Sequence, residues 1–155
     1  MRRHTDPNAF GFVVTDVARL FRAEFDRRIG EAGIGVTPGE GRTLTHAARA
    51  GAVRQTVLAE RMGIEAMTLS GYLDRLEARG LVERRPDPSD RRAKLVVLTD
   101  KADDVLERVQ TVAAALREDV SRAVGVADWA ALNTSLRTIR DRLGELRTGR
   151  ESDAA

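Results

Sequence analysis

The side chains best suited to chemistry in this 155-residue sequence are the cations of residues 84–94, RRPDPSDRRAK. This segment holds five cations and two carboxylates, a local surplus of +3, although the net charge of the whole chain is only +2. Four of the five cations are arginines, and the planar guanidinium group binds phosphate in a bidentate manner. The segment therefore predicts the anion-binding tip of a hairpin rather than a centre for covalent chemistry.

Residues suited to catalysis or metal binding are few. The sequence has no cysteine and only two histidines, His4 and His46. Neither histidine stands in a metal-ligand spacing, and the glycines do not form a phosphate-binding loop. We expect no enzymatic activity, no metal and no cofactor, and we interpret His46 as a partly buried polar residue.

The composition is typical of an ordered, soluble protein, with 42% hydrophobic and 32% charged residues. No segment approaches the roughly 20 apolar residues of a membrane span. The arginines near the N-terminus are not followed by an apolar segment, so no secretory signal is predicted. Because cysteine is absent, the chain suits a reducing compartment, and we expect a cytoplasmic protein with one domain over residues 1–155.

Residues 8–31 predict an amphipathic helix, because apolar side chains recur there at three- and four-residue steps. These side chains are Phe10, Val13, Val14, Val17, Leu20, Phe21 and Phe25. A second helix is predicted to begin after Thr37, with Pro38 in its first position and Glu40 closing a capping box.

Residues 55–79 predict two short helices joined by a tight turn. Gly63 suits the end of the first helix, where a left-handed conformation is needed. The second helix directs Leu69, Leu73 and Leu76 inward and leaves small polar side chains outside. Two helices joined at a glycine in this way form a helix-turn-helix pattern.

Residues 81–99 predict a β-hairpin, or wing, beside this pair of helices. The segments LVERR and AKLVVLT read as strands, with PDPSDR as the connecting loop. Pro86 and Pro88 cannot donate hydrogen bonds in a ladder, so both are predicted to lie in the loop.

The remainder of the chain predicts two long helices, the first capped by Thr99 or Asp100 and the last capped by Asp128. The last helix carries apolar residues with the spacing of a coiled-coil seam. These are Trp129, Leu132, Leu136, Ile139, Leu143 and Leu146. A monomer would expose both terminal stripes, so residues 8–31 and 101–147 are predicted to be the dimerisation helices of a homodimer.

One long ordered motif runs from the second helix of the pair to the end of the wing. It reads L-x-x-L-x-x-x-G-L-V-x-R-x-x-D-P-x-D-x-R, followed by L-T. It is matched by Leu73, Leu76, Gly80, Leu81, Val82, Arg84, Asp87, Pro88, Asp90, Arg92, Leu98 and Thr99. On this motif the chain resembles the MarR family of bacterial transcription regulators. The resemblance implies a mainly α fold with a small β-wing, in which a winged helix-turn-helix at residues 37–100 is flanked by N- and C-terminal dimerisation helices.

The second helix of the pair is expected to enter the major groove of double-stranded DNA, with its N-terminal residues nearest the bases. Thr68 and Ser70 are the stronger candidates for contact, and Met67 suits a thymine methyl group. Met67 and Tyr72 have an alternative interpretation as partly buried packing residues. The predicted DNA-binding residues are Gln55, Thr56, Met67, Thr68, Ser70, Tyr72, Arg75, Arg91, Arg92 and Lys94.

The wing is expected to supply the second DNA contact. Asp90 and Arg92 are two residues apart and share a side of a strand, so Asp90 is predicted to orient the Arg92 guanidinium. Arg92, Arg91 or Lys94 would then meet the minor groove or its phosphates. The resemblance assigns the wing-tip role to Arg92.

The resemblance further implies a dimer on a pseudo-palindromic operator, with recognition helices about 34 Å apart. It implies a repressor, which is the usual output in the family. It also implies a small aromatic or phenolic effector between the DNA-binding and dimerisation parts. Arg19, Arg22, His46 and Trp129 are the candidate effector residues.

Two departures from the family pattern keep a competing hypothesis open. Arg54 and Glu65 stand where the helix pair usually has capping Ser or Thr, and Gly71 replaces a larger side chain on the recognition helix. Because a carboxylate near phosphate weakens binding, Glu65 and Gly71 also fit a winged-helix protein-interaction module without specific DNA binding.

Overall fold

The computed structural model describes residues 6–152, with side chains for residues 6–148, so that His4 lies outside the described residues. The elements in chain order are α1 (Phe10–Glu31), α2 (Pro38–Ala50), β1 (Val53–Arg54), α3 (Gln55–Met62), α4 (Ala66–Ala78), β2 (Val82–Asp87), β3 (Asp90–Leu98), a 3₁₀ turn (Asp100–Ala102), α5 (Asp103–Arg122) and α6 (Val126–Ser152). This order confirms the predicted mainly α fold with a small β-wing.

The start of α2 is the capping box predicted from the sequence. The Thr37 hydroxyl accepts the Glu40 amide at 3.3 Å, and a Glu40 carboxylate oxygen accepts the Thr37 amide at 3.0 Å. Pro38 occupies the first turn, where no amide hydrogen is needed. Two of the free amides at the helix start therefore have partners.

The helix-turn-helix is formed by α3 and α4. Gly63 ends α3 with φ of 63°, in the left-handed conformation that glycine adopts without strain. Leu69, Leu73 and Leu76 of α4 are fully buried, as predicted, and Leu58 of α3 is fully buried as well. Burial of each large aliphatic side chain contributes roughly 1.5–3 kcal/mol, so this leucine cluster fixes the angle between the two helices.

The wing belongs to an antiparallel sheet with strand order β1-β3-β2. The sequence did not predict β1, because two residues are too few to show the alternation of a strand. Pro86 was predicted to lie in the loop, but it belongs to β2 and faces Lys94 across the ladder. β2 is an edge strand, where proline is tolerated, and the register is irregular just after it, between Pro86 and Asp87.

The C-terminal helices begin at slightly different residues from those predicted. The Thr99 hydroxyl donates to the Gly80 carbonyl at 2.5 Å instead of capping the 3₁₀ turn that follows it. Asp128 was predicted to cap the last helix, but α6 starts at Val126 and includes Asp128 in its first turn. The earlier start follows from Gly125, whose φ of 85° turns the chain and whose carbonyl accepts the Trp129 amide at 2.9 Å.

The chain folds as two compact units, one ending at Ala114 and the other beginning at Ala115. In the first unit, α1 exposes most of its apolar stripe, with Phe10, Val17 and Leu20 each more than half exposed. In the second unit, α6 exposes its own stripe, including Leu132, Leu136, Leu143 and Leu146. Within residues 6–152, no helix has the length and hydropathy needed to cross a membrane.

Candidate nucleic-acid interface

The exposed face of α4 carries the predicted recognition residues. Met67 is 88% exposed, which is unusual for a methionine in a folded chain. Thr68 is exposed and Ser70 is half-buried on the same helix. At the start of α3, Thr56 is exposed and Gln55 is half-buried. This exposure does not agree with the alternative role of Met67 in packing, and it leaves the Met67 side chain open to solvent.

Tyr72 packs against α2 rather than projecting from α4. A Cβ atom on Gly39 would lie only 2.3 Å from the Tyr72 ring, so the ring rests directly on the backbone of α2. The Tyr72 side chain is half-buried as a result. The packing interpretation of Tyr72 is the one that this geometry supports.

Arg75, predicted to bind DNA, is held by a carboxylate inside the protein. Its Nε donates to Glu40 Oε1 at 2.6 Å, and its guanidinium lies 5.4 Å from the centre of the Tyr72 ring. Glu40 is buried, and its other oxygen serves the capping box with Thr37. One carboxylate thus joins the start of α2 to the recognition helix, a contact between residues 35 apart that no local pattern could reveal.

Alanine substitution at two glycines near this contact should change the stability of the protein in opposite directions. Gly39→Ala forces the Tyr72 ring away from α2, so we expect the protein to lose about 1–2 kcal/mol of stability. Gly71→Ala meets only Arg75 Nη1 at 3.8 Å, so its gain in helix propensity should stabilise the protein by up to about 1 kcal/mol. Urea denaturation of both variants checks the pair, and equal midpoints would contradict the packing described for Tyr72.

Arg84 links the wing to the recognition helix. Its guanidinium donates to Glu77 Oε2 at 2.6 Å and to Asp74 Oδ1 at 2.6 Å, and its backbone amide donates to Glu77 Oε1 at 3.0 Å. These hydrogen bonds from Arg84 lower the pKa of the Glu77 carboxyl. Arg84 is therefore an internal brace between β2 and α4, and not one of the cations directed at solvent.

The turn of the wing is fastened at Asp87, which is buried. Asp87 Oδ1 accepts the Ser89 amide at 2.8 Å and the Ser89 hydroxyl at 2.7 Å. Asp87 Oδ2 accepts Nε of Arg54, from the start of α3, at 2.6 Å. The bonds from Ser89, and then that from Arg54, lower the pKa of Asp87 to about 2.

Asp90 does not hold the Arg92 guanidinium as predicted. Its Oδ1 accepts the backbone amide of Arg92 at 3.1 Å, the bond that a short carboxylate forms readily two residues ahead in a turn. Arg91, Arg92 and Lys94 are exposed. Within the described side chains, residues 6–148, none of their cationic groups has a hydrogen-bond or ion-pair partner. These three cations remain available to an external anion.

Arg54 and Glu65 precede α3 and α4 without capping them. Neither side chain forms a capping hydrogen bond, which agrees with the departure seen in the sequence. Glu65 is exposed beside Met67 at the start of the recognition helix. Its charge is favourable to the helix dipole and unfavourable to a nearby phosphate.

The sequence model of the MarR family matches residues 36–94, from the segment before α2 into β3. Over a longer span, the chain is 36% identical to the transcriptional regulator PA3341, covering 88% of this chain and 98% of that chain with a TM-score of 0.72. This chain belongs to the MarR family. The resemblance seen in the wing motif is confirmed. The chain is therefore one of the winged-helix transcriptional regulators, a class of proteins that bind DNA.

Two solved structures of CouR are also similar to this MarR-family chain. The transcriptional repressor CouR bound to a 23-mer DNA duplex is 27% identical, covering 88% of this chain and 99% of that chain with a TM-score of 0.66. CouR from Rhodococcus jostii RHA1 bound to p-coumaroyl-CoA is 25% identical, covering 90% of this chain and 92% of that chain with a TM-score of 0.65.

The candidate effector residues of this MarR-family chain lie in different settings. Arg19 is exposed and pairs with Asp16 at 3.1 Å. Arg22 acts electrostatically on the half-buried His46. Trp129 is half-buried on α6, in the second compact unit. Of the four, Arg22 and His46 are the two whose charges interact, because the Arg22 charge contributes to the lowered pKa of His46.

His46 lies in a cationic environment built by three helices. The surrounding arginines are Arg22 of α1, Arg42 and Arg49 of α2, and Arg61 of α3. Arg42 is itself paired with Asp26 of α1. Burial, and then the charges of these arginines, lower the pKa of His46 below its ordinary value of 6.5. Within residues 6–148, no group of three or more His, Cys, Asp or Glu side chains is arranged for a metal ion.

The lowered pKa of His46 predicts a pH dependence of stability. Because the folded state favours neutral His46, this residue does not reduce the free energy of unfolding above pH 6.5. Below pH 6.5 the unfolded state binds a proton more readily than the folded state, so the free energy of unfolding falls as the pH falls towards the folded-state pKa. We expect the Tm of the wild type to fall more between pH 7 and pH 5 than that of His46→Gln. Thermal melts across this range check the difference, and parallel Tm profiles would show that His46 is not held neutral.

Proposed function

We propose that this chain is a homodimeric, sequence-specific transcriptional regulator that represses its target by occupying a pseudo-palindromic operator. The observation that carries the proposal is the contrast between its arginines. Arg54, Arg75 and Arg84 are engaged by internal carboxylates, whereas Arg91 and Arg92 at the wing tip are exposed and unpaired among the described residues. The paired arginines stabilise the fold, and the unpaired cations of the wing tip contact DNA.

In this proposal, the first turn of α4 reads base edges in the major groove. Thr68 and Ser70 supply hydroxyl groups that bond bases or phosphates, and the exposed thioether of Met67 contacts a thymine methyl group. Gln55 and Thr56 at the start of α3 are suited to phosphate contact. The DNA-bound structure of CouR, a 27% identical relative, supports DNA as the partner.

The wing supplies the second contact, through Arg92 with the support of Arg91 and Lys94. Arginine is attracted to the narrow minor groove of A·T-rich DNA, where the negative potential is strongest. The proposed division assigns DNA binding to residues 37–100 and dimerisation to residues 8–31 and 101–147. The exposed apolar stripes of α1 and α6 support the dimer, because a second copy would remove them from water.

A small aromatic or phenolic effector is proposed to relieve repression. CouR binds p-coumaroyl-CoA, a thioester whose acyl group is a phenol, and this supports a ligand with a phenolic group. Arg22 and His46 are the candidates best supported here, because a cationic, partly buried environment suits an acidic ligand. Arg19 and Trp129 remain candidates for the same role.

Selection from genomic DNA tests the proposed function. Purified protein is incubated with sheared genomic fragments at rising salt, and the retained fragments are sequenced. The proposal expects a small set of fragments that share an inverted repeat and are lost steeply as salt increases. Retained fragments that share no sequence would favour the alternative hypothesis of a winged-helix protein-interaction module. Glu65 at the start of α4 would then be part of that module's binding surface.

A further inference from the structure

Arg54 occupies a position where a side chain usually caps the helix, yet it does not cap α3. Its side chain instead extends towards the turn of the wing, 33 residues further along the chain. Nε of Arg54 donates to Asp87 Oδ2 at 2.6 Å, and Nη2 donates to the Ser89 hydroxyl at 3.1 Å. Arg54, Asp87 and Ser89 are named here the wing latch.

The wing latch fixes the wing turn to the helix-turn-helix. Asp87 uses both carboxylate oxygens, one for Ser89 in the turn itself and the other for Arg54. Arg54 is also the last residue of β1, where it pairs with Leu95 of β3. The turn is therefore connected to the start of α3 by side chains as well as through the ladder. Such charge-assisted hydrogen bonds are shorter and stronger than neutral ones.

The turn that the latch holds lies directly before the free cations of the wing. Ser89 is followed after one residue by Arg91 and Arg92, which are exposed and unpaired within residues 6–148. A hairpin tip without an anchor samples many orientations, and DNA binding would have to restrict them at a cost in affinity. An anchored tip has already lost that freedom.

We propose that Arg54 is a positioning residue that acts through Asp87 to hold Arg92 in its DNA-binding orientation. This inference rests on the proposed DNA-binding function. Arg54 then has a positioning role in place of the usual capping role. The buried Asp87 carboxylate favours DNA binding although it is negatively charged, because it holds the wing turn. The latch restrains the wing before DNA arrives, and Arg54 itself needs no contact with phosphate.

Two variants test the latch by DNA affinity. Arg54→Met and Asp87→Asn should each weaken operator binding by about 5- to 20-fold, because both release the wing turn. The direction for Asp87→Asn is decisive, since simple loss of a negative charge beside DNA would strengthen binding. In an Arg92→Ala background, either change should cost less than about 2-fold, because the residue being positioned is already absent. Glu83→Gln, at an exposed carboxylate of the same strand, is the matched control and should not weaken binding.

Trypsin cleavage after Arg91 and Arg92 provides a readout that needs no DNA. The latch predicts faster cleavage in Asp87→Asn and Arg54→Met than in the wild type. Cleavage is measured well below the unfolding midpoint of each variant, so that it reports on the wing turn and not on global unfolding. Weaker binding by Arg54→Met together with tighter binding by Asp87→Asn would overturn the inference, because Arg54 would then be a direct phosphate contact. Unchanged cleavage rates would overturn it as well. If the wild type bound no operator, the proposed function would fail, and the cleavage rates would still decide whether the latch holds the wing.

Discussion

Arg92→Ala is expected to weaken operator binding by about 10- to 100-fold, counting both wings of the dimer. The guanidinium of Arg92 is exposed and has no partner within the described residues, so its removal breaks no internal contact. The slope of log K against log salt should become less steep by about 2, one phosphate contact for each protomer. Fluorescence anisotropy on a labelled operator across a salt series measures both quantities.

Arg85→Ala is the matched control for this experiment. It removes the same charge from the wing, but its guanidinium is already engaged by Glu83 at 2.7 Å. The control should change operator affinity much less than Arg92→Ala does. An equal loss of operator affinity in the two variants would mean that the wing acts only through its overall charge. Unchanged operator affinity in Arg92→Ala would mean that the wing tip does not contact DNA.

Leu143→Glu is expected to weaken the proposed homodimer by at least about 100-fold, because a carboxylate would be buried in each half of its apolar seam. Leu143 is 56% exposed in the single chain and belongs to the apolar stripe of α6. Operator affinity should fall with the dimer, since one half-site gives little specific binding. Sedimentation velocity, combined with anisotropy on the same samples, links assembly to DNA binding.

Thr134→Glu supplies the comparison on α6. Thr134 is exposed and lies on the side of the helix opposite the apolar stripe, given about 100° of rotation per residue. This variant should remain dimeric and bind the operator as the wild type does. A dimeric Leu143→Glu variant would show that the stripe of α6 does not form the seam.

The helices were predictable because the residues that determine each of them lie close together in the sequence. The capping box of Thr37 and Glu40 spans four consecutive residues, and the leucines of α4 recur at helical spacing. The left-handed glycine at residue 63 marks the turn between α3 and α4. Each signal lies within a few residues, so sequence spacing alone carries it.

The contacts of the arginines were not predictable in the same way. The pair between Arg75 and Glu40 was not expected, and Asp90 was expected to hold the Arg92 side chain but accepts its backbone amide instead. Arg54 finds Asp87 across 33 residues. Arginine side chains are long enough to reach several carboxylates, so only the packed fold determines which partner is chosen.

These pairings change the interpretation of the basic hairpin. Of its five cations, Arg84 braces β2 against α4 and Arg85 pairs with Glu83. Arg91, Arg92 and Lys94 are left for an external anion, so the surplus charge is concentrated beyond the turn. Within the described residues, the exposed and unpaired cations of the hairpin are therefore three of the five that the sequence contains.

Sequence-specific recognition is tested most directly by the affinity of the wild type for a selected operator and for a scrambled duplex of equal length, measured at the same salt. We expect the operator to be bound at least about 1,000-fold more tightly, as expected of a specific regulator, with one dimer on each operator. Equal affinity for the two duplexes would contradict sequence-specific recognition, because α4 would then contribute no reading of sequence.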